Sequence, residues 1–447
     1  MARVLIIAYT VFDHDGRVKR HANALAERGD TVDVIALSNG HDGPQHGVNV
    51  IGIKMPRYRG ASRASYVGSY LRFFAKATSL TYKLSAAKPY DLAIACTMPD
   101  AAVFSALPAR LFGTKIILDI HDTMPELYRD KFGGRLGALG ARVLMKMERL
   151  CAGCADRVLA VHHLHRLRLE QSGIPSSKIA EVMNLPEANI FEGPDVPRGG
   201  NFDGDSNHRD FVLVCHGTVT RRLGVDVAVK AVSLLLERIP TLRLRIIGAG
   251  DYLKKVEALA TRLGVSDRIS FEGLVPIEAL PRVLQGASIG LVPNHDTNAT
   301  RLMLPVKLLE YASLQIPVIA SRLPTVEYYF SDQSVRMVPP GDAEAMASAI
   351  DELYRHPDLR RTLAANARDV IDKTSWEHQR RNFLGAVDPL LNSRTISGAG
   401  NGRPQSGATN ISAGAAGLSD RPRQSGRVTR MMTSTSGRNE TWNRLSR

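Results

Sequence analysis

The chain is short of cysteine, of long apolar runs and, over one long stretch, of any acid. Four cysteines in 447 residues are too few for the disulfide framework of a secreted domain, so a reducing compartment is expected. Cys151 and Cys154 form a CxxC spacing with no second ligand pair behind it, and ERLCAGCADRV reads as a helix built on small residues. The longest apolar runs, such as VLIIAYT at 4–10, fall far short of a membrane span, and that one is followed at once by Asp13, His14 and Asp15. No GxGxxG follows the first strand, which argues against a nicotinamide dehydrogenase. No DxD pair stands at a strand end to hold a divalent ion against a diphosphate, so no metal site is expected. The formal charge of +14 comes without a helix-turn-helix, RNA-binding aromatic motif or zinc finger, which leaves a non-enzymatic, basic nucleic-acid-binding protein as a distant rival.

What is present is a repeated α/β grammar. With 44% hydrophobic residues the chain can bury a large core and suits two domains better than one. VLIIAY, a helix from about Arg17 to Arg28, and TVDVIAL make one βαβ unit, and DLAIAC, KIILDI and RVLAV read as further buried strands. From about residue 210 the pattern restarts with FVLVCHG, a helix over VDVAVKAVSLLLER, LRLRIIGAG, RISFEG, IGLVPN and IPVIAS. Two such blocks predict two doubly wound parallel sheets, with a boundary in GPDVPRGGNFDGDSNHR and the ligand site in the cleft between them. After Leu391 the chain is rich in Gly, Ser, Thr and Arg without apolar periodicity, and is expected to be a disordered basic tail; nine Arg against Asp420 and Glu440 give it +7.

The strand-end loops carry the candidate chemistry. LPVKLLEYASLQIPVIAS, residues 304–321, places Lys307 and Glu310 on one face of a helix opened by Pro305, near an N-terminus that favours anions. CHGTVTRRLGVD is a strand end, a small-residue turn at Gly217 and Thr218, and two arginines before a helix, so that Arg221 or Arg222 is placed to meet a diphosphate with Lys307. IIGAGD, with Gly248 and Gly250, is a further, weaker phosphate-loop pattern. KIILDIHDTMPELY ends a strand on His121 and Asp122 and opens a helix at Pro125 with Glu126 near its start; a histidine there can exchange a proton or bond a ligand hydroxyl.

HGTVTRRLGVD, IIGAGD, ISFEGLV, LPVKLLEYASLQIPVIAS, LDIHDTMPE and VMNLPEANIF, in this order and over roughly residues 1–390, together resemble the bacterial glycosyltransferases of family 4. The resemblance implies the GT-B fold, two facing Rossmann-like domains: residues 1–195 on the acceptor side and 196–391, with a final helix packing back, on the nucleotide-sugar side, before the tail at 392–447. It implies retaining, metal-independent sugar transfer from a nucleotide diphosphate to an acceptor hydroxyl of a lipid-linked or polysaccharide intermediate, with no cofactor. Carried over by position, Glu310 would accept the ribose hydroxyls, Arg222 and Lys307 would neutralise the pyrophosphate, and His121 would contact the sugar. Gly217, Thr218, Gly248 and Gly250 would line the donor pocket, and backbone from Phe271 through Gly273 to Leu274 would hold the base. Many family members have a glutamate eight residues before the ribose one; here that position is Leu302, and the Thr297–Arg301 loop or backbone amides would substitute. The first domain has DHDGRVKR in place of the usual paired-glycine loop, so Gly16, Arg17 and Arg20 would approach the acceptor or the donor phosphate, with Asp122 and Glu126 on the same side. Nucleotide-sugar 2-epimerases and phosphorylases share this architecture and are the enzymatic alternatives.

Residues 54–88 hold eight Lys or Arg and no acid, interleaved with Tyr58, Tyr66, Tyr70, Phe73, Phe74 and Tyr82. Read as a helix from about Ala64, the segment lines up Tyr66, Tyr70, Phe73 and Phe74 on one side, with Arg63 and Lys76 on the flanks. It is therefore expected to lie on an anionic bilayer and make the protein peripheral on the cytoplasmic face of the cell membrane.

Overall fold

The computed structural model describes residues 1–55, 63–97, 99–193, 196, 198–200 and 210–398, and of 63–67 and 393–398 the backbone alone. Tyr58, the side chains of Arg63 and Tyr66, most of the segment expected to divide the domains and the tail from residue 399 lie outside that description.

Two parallel sheets organise the chain. The first holds β1 (Arg3–Val11), β2 (Thr31–Leu37), β3 (Gly43–Gln45), β4 (Val48–Ile53), β5 (Leu92–Cys96), β6 (Lys115–Ile120), β7 (Arg157–Ala160) and β8 (Ile179–Glu181), in the order β3-β4-β2-β1-β5-β6-β7-β8. Only β3 runs antiparallel, as a hairpin onto β4. The second holds β9 (Phe211–His216), β10 (Leu242–Ile247), β11 (Ile269–Gly273), β12 (Ile289–Val292), β13 (Val318–Ser321) and β14 (Arg336–Val338), in the order β11-β10-β9-β12-β13-β14. The strands are continuous apolar runs because helices cover both faces of each sheet; every residue of β5, β12 and β13 is buried. The strand order reverses at β1/β5 and at β9/β12, and at such switch points ligands find a crevice beyond the strands' carboxyl ends.

In the first domain, α1 (Gly16–Glu27) starts on Asp15, whose side chain accepts the Val18 amide and caps the helix. Further along, α2 (Arg63–Ala87), α3 (Val103–Arg110), α4 (Met124–Phe132), α5 (Gly134–Gly153) and α6 (His163–Gln171) follow. Side chains of α2, α3 and α5 share one apolar cluster with the sheet, whereas α1 and the last helix, Trp376–Gly398, pack through Phe383, Ala386 and Val387 onto the opposite face. The expected lipid-facing aromatic side of α2 is instead interior. Phe73 is fully buried, and Tyr9 lies against both Tyr70 and Phe73 at ring distances of 4.5 and 5.1 Å. Burying such rings beneath a helix outweighs leaving them in water, and α2 turns Leu71, Arg72, Lys76, Tyr82 and Lys83 outward.

Two ionic networks sit behind the strand ends, and they absorb several of the expected site residues. Asp119, next to last in β6, is wholly buried and takes a bidentate pair from Arg17, at 2.8 Å from Nε and 2.7 Å from Nη2, while Arg17 Nη1 donates to the Val182 carbonyl at 2.9 Å. Burial alone would raise the Asp119 carboxyl, but Arg17 holds it well below the carboxylate range. Arg17 therefore ties α1 to the sheet and does not reach a ligand. Arg20 donates to Asn184 at 2.8 Å and lies over Trp376, and burial with the nearby Arg17 charge lowers it to about 10. Gly16 is closed in by Glu187. Between Arg17 and the last helix, His21 stacks on Phe383 at 4.2 Å, and burial pushes it down to about 3, so it is neutral.

The second network corrects Glu126. Both of its carboxylate oxygens accept from Arg168, at 2.7 and 3.1 Å, and Arg168 also binds the buried Glu148. Asp100, just after β5, is buried beside them; burial, then the Glu148 charge, pushes its carboxyl up to about 8.

Two measurements check these networks. Asp119→Asn leaves Arg17 buried without its counter-ion and is expected to cost about 3–5 kcal/mol in urea unfolding, with Arg17→Met/Asp119→Leu recovering most of it. Asp100 binds its proton more tightly folded, with a pKa of about 8 against 3.8 for the free side chain, so stability falls as pH rises through that window. Asp100→Asn removes the linkage: its melting temperature relative to the parent protein should climb from pH 5 to pH 8, and a difference that does not change with pH would contradict the assignment.

Candidate active site

The carboxyl end of β9 is the centre of the site. Here the chain leaves the strand at His216, turns through Gly217 with φ 101°, makes a tight turn over Arg221–Leu223 and enters the helix Val225–Ser233 through Gly224 in the left-handed region at φ 66°. A side chain on Gly224 would overlap the Pro293 carbonyl beyond β12, and one on Gly248 or Gly250 would overlap the Gly217 or Val219 carbonyl. Backbone bonds close these turns on one another: Gly217 N–H to Ile247 O at 2.8 Å, Val219 N–H to Ala249 O at 3.0 Å and His295 N–H to Arg222 O at 2.9 Å. Gly248 and Gly250 thus serve a close crossing of two backbones, which fixes where the Arg222 turn stands.

Lys307 and Glu310 reach the same strand end from the helix Val306–Ser313. Pro305 is the residue before the first helical turn, with ψ 120°, rather than within it. Glu310 is buried, and its Oε2 lies 2.6 Å from His216 Nε2. The adjacent Tyr311 hydroxyl accepts from the His216 amide and donates to the Val214 carbonyl, each at 3.2 Å. Two consecutive residues are thus bonded to β9, which holds the Glu310 carboxylate in one place. Lys307 is close enough to act on Cys215, whose thiol burial raises and the lysine charge pulls back down. Arg222 is half-buried, and its Nε is shut off from water without a hydrogen bond. Among the described residues neither Arg222 nor Lys307 pairs with a carboxylate. One buried carboxylate beside two uncommitted cations is an arrangement suited to an anion that also carries hydroxyls. Gly273, at φ 70°, and Leu274, 80% exposed, lie at the end of β11, two strands away.

Across from this stand the strand ends of the first domain. His121 follows β6; its amide donates to Thr97 Oγ1 at 3.2 Å, its Nδ1 is 3.9 Å from Asp119 Oδ2 and its Nε2 3.8 Å from the half-exposed Asp122. Loops from the same ends of the two sheets meet directly. Asp130 of α4 accepts from Asn298 N–H, Asn298 Nδ2 and Ala299 N–H at 3.1, 2.7 and 2.8 Å. His162, whose Nδ1 accepts the His165 amide, donates Nε2–H to the Leu302 carbonyl at 2.9 Å, and burial lowers it to about 4 so that it stays neutral. At Leu302, where a family glutamate would stand, the backbone thus bonds the first domain and the side chain is buried.

The structure thus places Lys307 and Glu310 on one helix and Arg222 on the turn beyond β9, sets His121 and Asp122 after β6, and gives Arg17, Arg20 and Glu126 side-chain partners within the first half of the chain. Sequence reading missed His216, Asp130 and His162. His216 carried a usable signal, since like His121 it stands at the carboxyl end of a buried strand, as the last residue of β9.

Residues 16–184 match the glycosyl transferase 4-like domain and residues 201–370 the glycosyl transferases group 1. Among curated relatives, the GDP-mannose-dependent alpha-(1-6)-phosphatidylinositol monomannoside mannosyltransferase of Mycolicibacterium smegmatis is 27% identical over 169 residues, 37% of this chain and 44% of that one. A glycosyltransferase assigned to colanic acid biosynthesis in Salmonella typhimurium is 26% identical over 221 residues, 48% and 52% of the two chains. The chain thus spans about half the length of the curated relatives it matches. Sucrose-phosphate synthase from Thermosynechococcus elongatus superposes with a TM-score of 0.67 at 18% identity, over 89% of this chain and all of that one, a likeness of fold. With a family domain matched in each half and a GT-B arrangement of two parallel sheets, the chain belongs to the group 1 glycosyl transferases, family 4.

Proposed function

We propose that the protein moves a sugar from a nucleotide diphosphate to an acceptor hydroxyl with retention at the anomeric carbon, and that residues 196–391 hold the donor while residues 1–195 receive the acceptor. The observation that carries this reading is the carboxylate of Glu310, fixed by His216 beside the uncommitted cations Arg222 and Lys307 at the end of β9. In the transfer, the bond from the anomeric carbon to the diphosphate oxygen breaks, one to the acceptor oxygen forms, and the acceptor hydroxyl's proton passes to the departing diphosphate oxygen. The departing diphosphate gains charge, which Arg222 and Lys307 stabilise more in the transition state than in the ground state. Glu310, an acceptor only when ionised, takes the two ribose hydroxyls with the oxygens His216 leaves available. His121 and Asp122 face the transferred sugar, and amides around Gly273 and Leu274 meet the base. The mannosyltransferase and colanic acid relatives, by their names, support a lipid-linked or polysaccharide acceptor. No described helix is long and apolar enough to cross a membrane.

A panel of nucleotide sugars tested for thermal stabilisation identifies the donor, because a ligand at about 100 times its Kd adds roughly 2.7 kcal/mol. Glu310→Ala should lose most of the activity and of the nucleotide binding with the fold retained; activity within a few-fold of the parent would take Glu310 out of the site. Arg222→Ala and Lys307→Ala should each lower kcat by about 100- to 1,000-fold, roughly 3–4 kcal/mol. With the diphosphate charge met by these two side chains, EDTA should leave turnover intact, and a strict requirement for magnesium or manganese would count against the mechanism.

A further inference from the structure

The helix α5 carries three separate stripes, and only one of them is explained by the fold. Gly137, Ala141, Glu148, Cys151 and Ala152 are buried, with Gly140 pressed against the Tyr128 ring of α4. On the outside stand Leu136, Leu139, Val143, Met147 and Leu150, exposed by 78, 60, 57, 40 and 57%. At about 100° per residue these five fall within an arc of roughly 80°, and the four exposed cations Arg135, Arg142, Lys146 and Arg149 within a neighbouring arc of roughly 60°. The only acid of α5 is the buried Glu148.

We propose that this outer face of α5 is where the protein docks on an anionic lipid bilayer, the apolar stripe entering between the headgroups and the basic stripe pairing with their phosphates. Charge selects this occupant. A second copy packed helix to helix through the same stripe would set four cations against four with no acid to meet them. A bilayer of negative headgroups satisfies both stripes together. Position agrees: α2, α3 and α5 cover the same face of the first sheet, and the outward side of α2 adds Arg72, Lys76 and Lys83 without an acid. The short turn at Gly133 joins α5 to α4, whose Asp130 bonds the second domain, so a docked α5 brings the lipid surface beside the cleft. This reading goes beyond the proposed reaction and does not need it: nucleotide binding and lipid binding are separate measurements.

The test introduces a reporter with Leu139→Trp in the full chain. Its emission should shift to the blue on vesicles containing phosphatidylglycerol and stay unchanged on pure phosphatidylcholine. Changing Leu136, Leu139, Val143 and Leu150 together to Ser leaves every charge in place and should weaken sedimentation with phosphatidylglycerol vesicles by at least about tenfold, with nucleotide-induced thermal stabilisation preserved as proof of folding. Replacing Arg135, Arg142, Lys146 and Arg149 by Gln should weaken it by about tenfold or more. Sedimentation of the Leu139→Trp protein without a blue shift would overturn the proposal, since the basic tail or α2 would then carry the binding. A blue shift that appears without lipid and follows a concentration-dependent dimer would overturn it in favour of a second copy, and an equal shift on neutral vesicles would overturn the role of the basic stripe.

Discussion

An ion taken out of water costs several kcal/mol unless a counter-ion or a set of hydrogen bonds meets it, and this constraint sorts the charged residues of the chain. Asp119 is tolerated in the first sheet because Arg17 grips both of its oxygens, and Glu126 and Glu148 because Arg168 serves both. Such pairs are finished structures. They have nothing left to offer a substrate, and they hold the strand-end loops at fixed positions. Arg222 and Lys307 are the opposite case: partly shielded cations near the end of β9 that, among the described residues, form no ion pair with a carboxylate. In the proposed reaction it is the incoming diphosphate that meets their charge.

The turns beyond β9, β10 and β12 give those cations a fixed address. Because Gly224, Gly248 and Gly250 let backbones touch and Gly217 takes a φ of 101°, the Arg222 turn is clamped by backbone hydrogen bonds on two sides instead of being carried on a loose loop. Preorganisation of this kind lets a charge act on a transition state without first paying to reorient. His216 does the same for Glu310. Its ring nitrogen occupies one carboxylate oxygen and aims the remainder, a positioning task that a surface carboxylate has no means to secure.

Much of the fold was legible from apolar runs alone. TVDVIAL and KIILDI coincide with β2 and β6, and the restart near residue 210 coincides with the second sheet. Lys307 and Glu310 were also legible as residues of one helix, and both stand on the helix Val306–Ser313. What periodicity does not encode is direction. The aromatics of α2 form one stripe whether they face lipid or their own sheet, and only the position of Tyr9 decides that they face inward. Likewise Arg17 and Arg20 in DHDGRVKR read as ligand-facing cations at a helix start, while their partners Asp119 and Asn184 lie 102 and 164 residues away. Long-range pairings of that kind leave no local signature, and Asp130 and His162 stayed hidden for the same reason.

The last helix has a mechanical consequence. The chain leaves the first domain beyond Met183 and returns to it at Trp376, and the Met183 amide donates to Gln379 at 2.8 Å, so the outgoing and returning segments are bonded side by side. Two bodies joined by two adjacent crossings behave like a door on paired pins: relative rotation about one line remains easy, while sliding and twisting are suppressed. Opening of the cleft would then break the hydrogen bonds of Asp130 to Asn298 and Ala299, while His162, which lines one cavity with Met183 and Gln379, stays beside the pins. A substrate entering between the domains would thus meet a mouth that widens along one fixed arc.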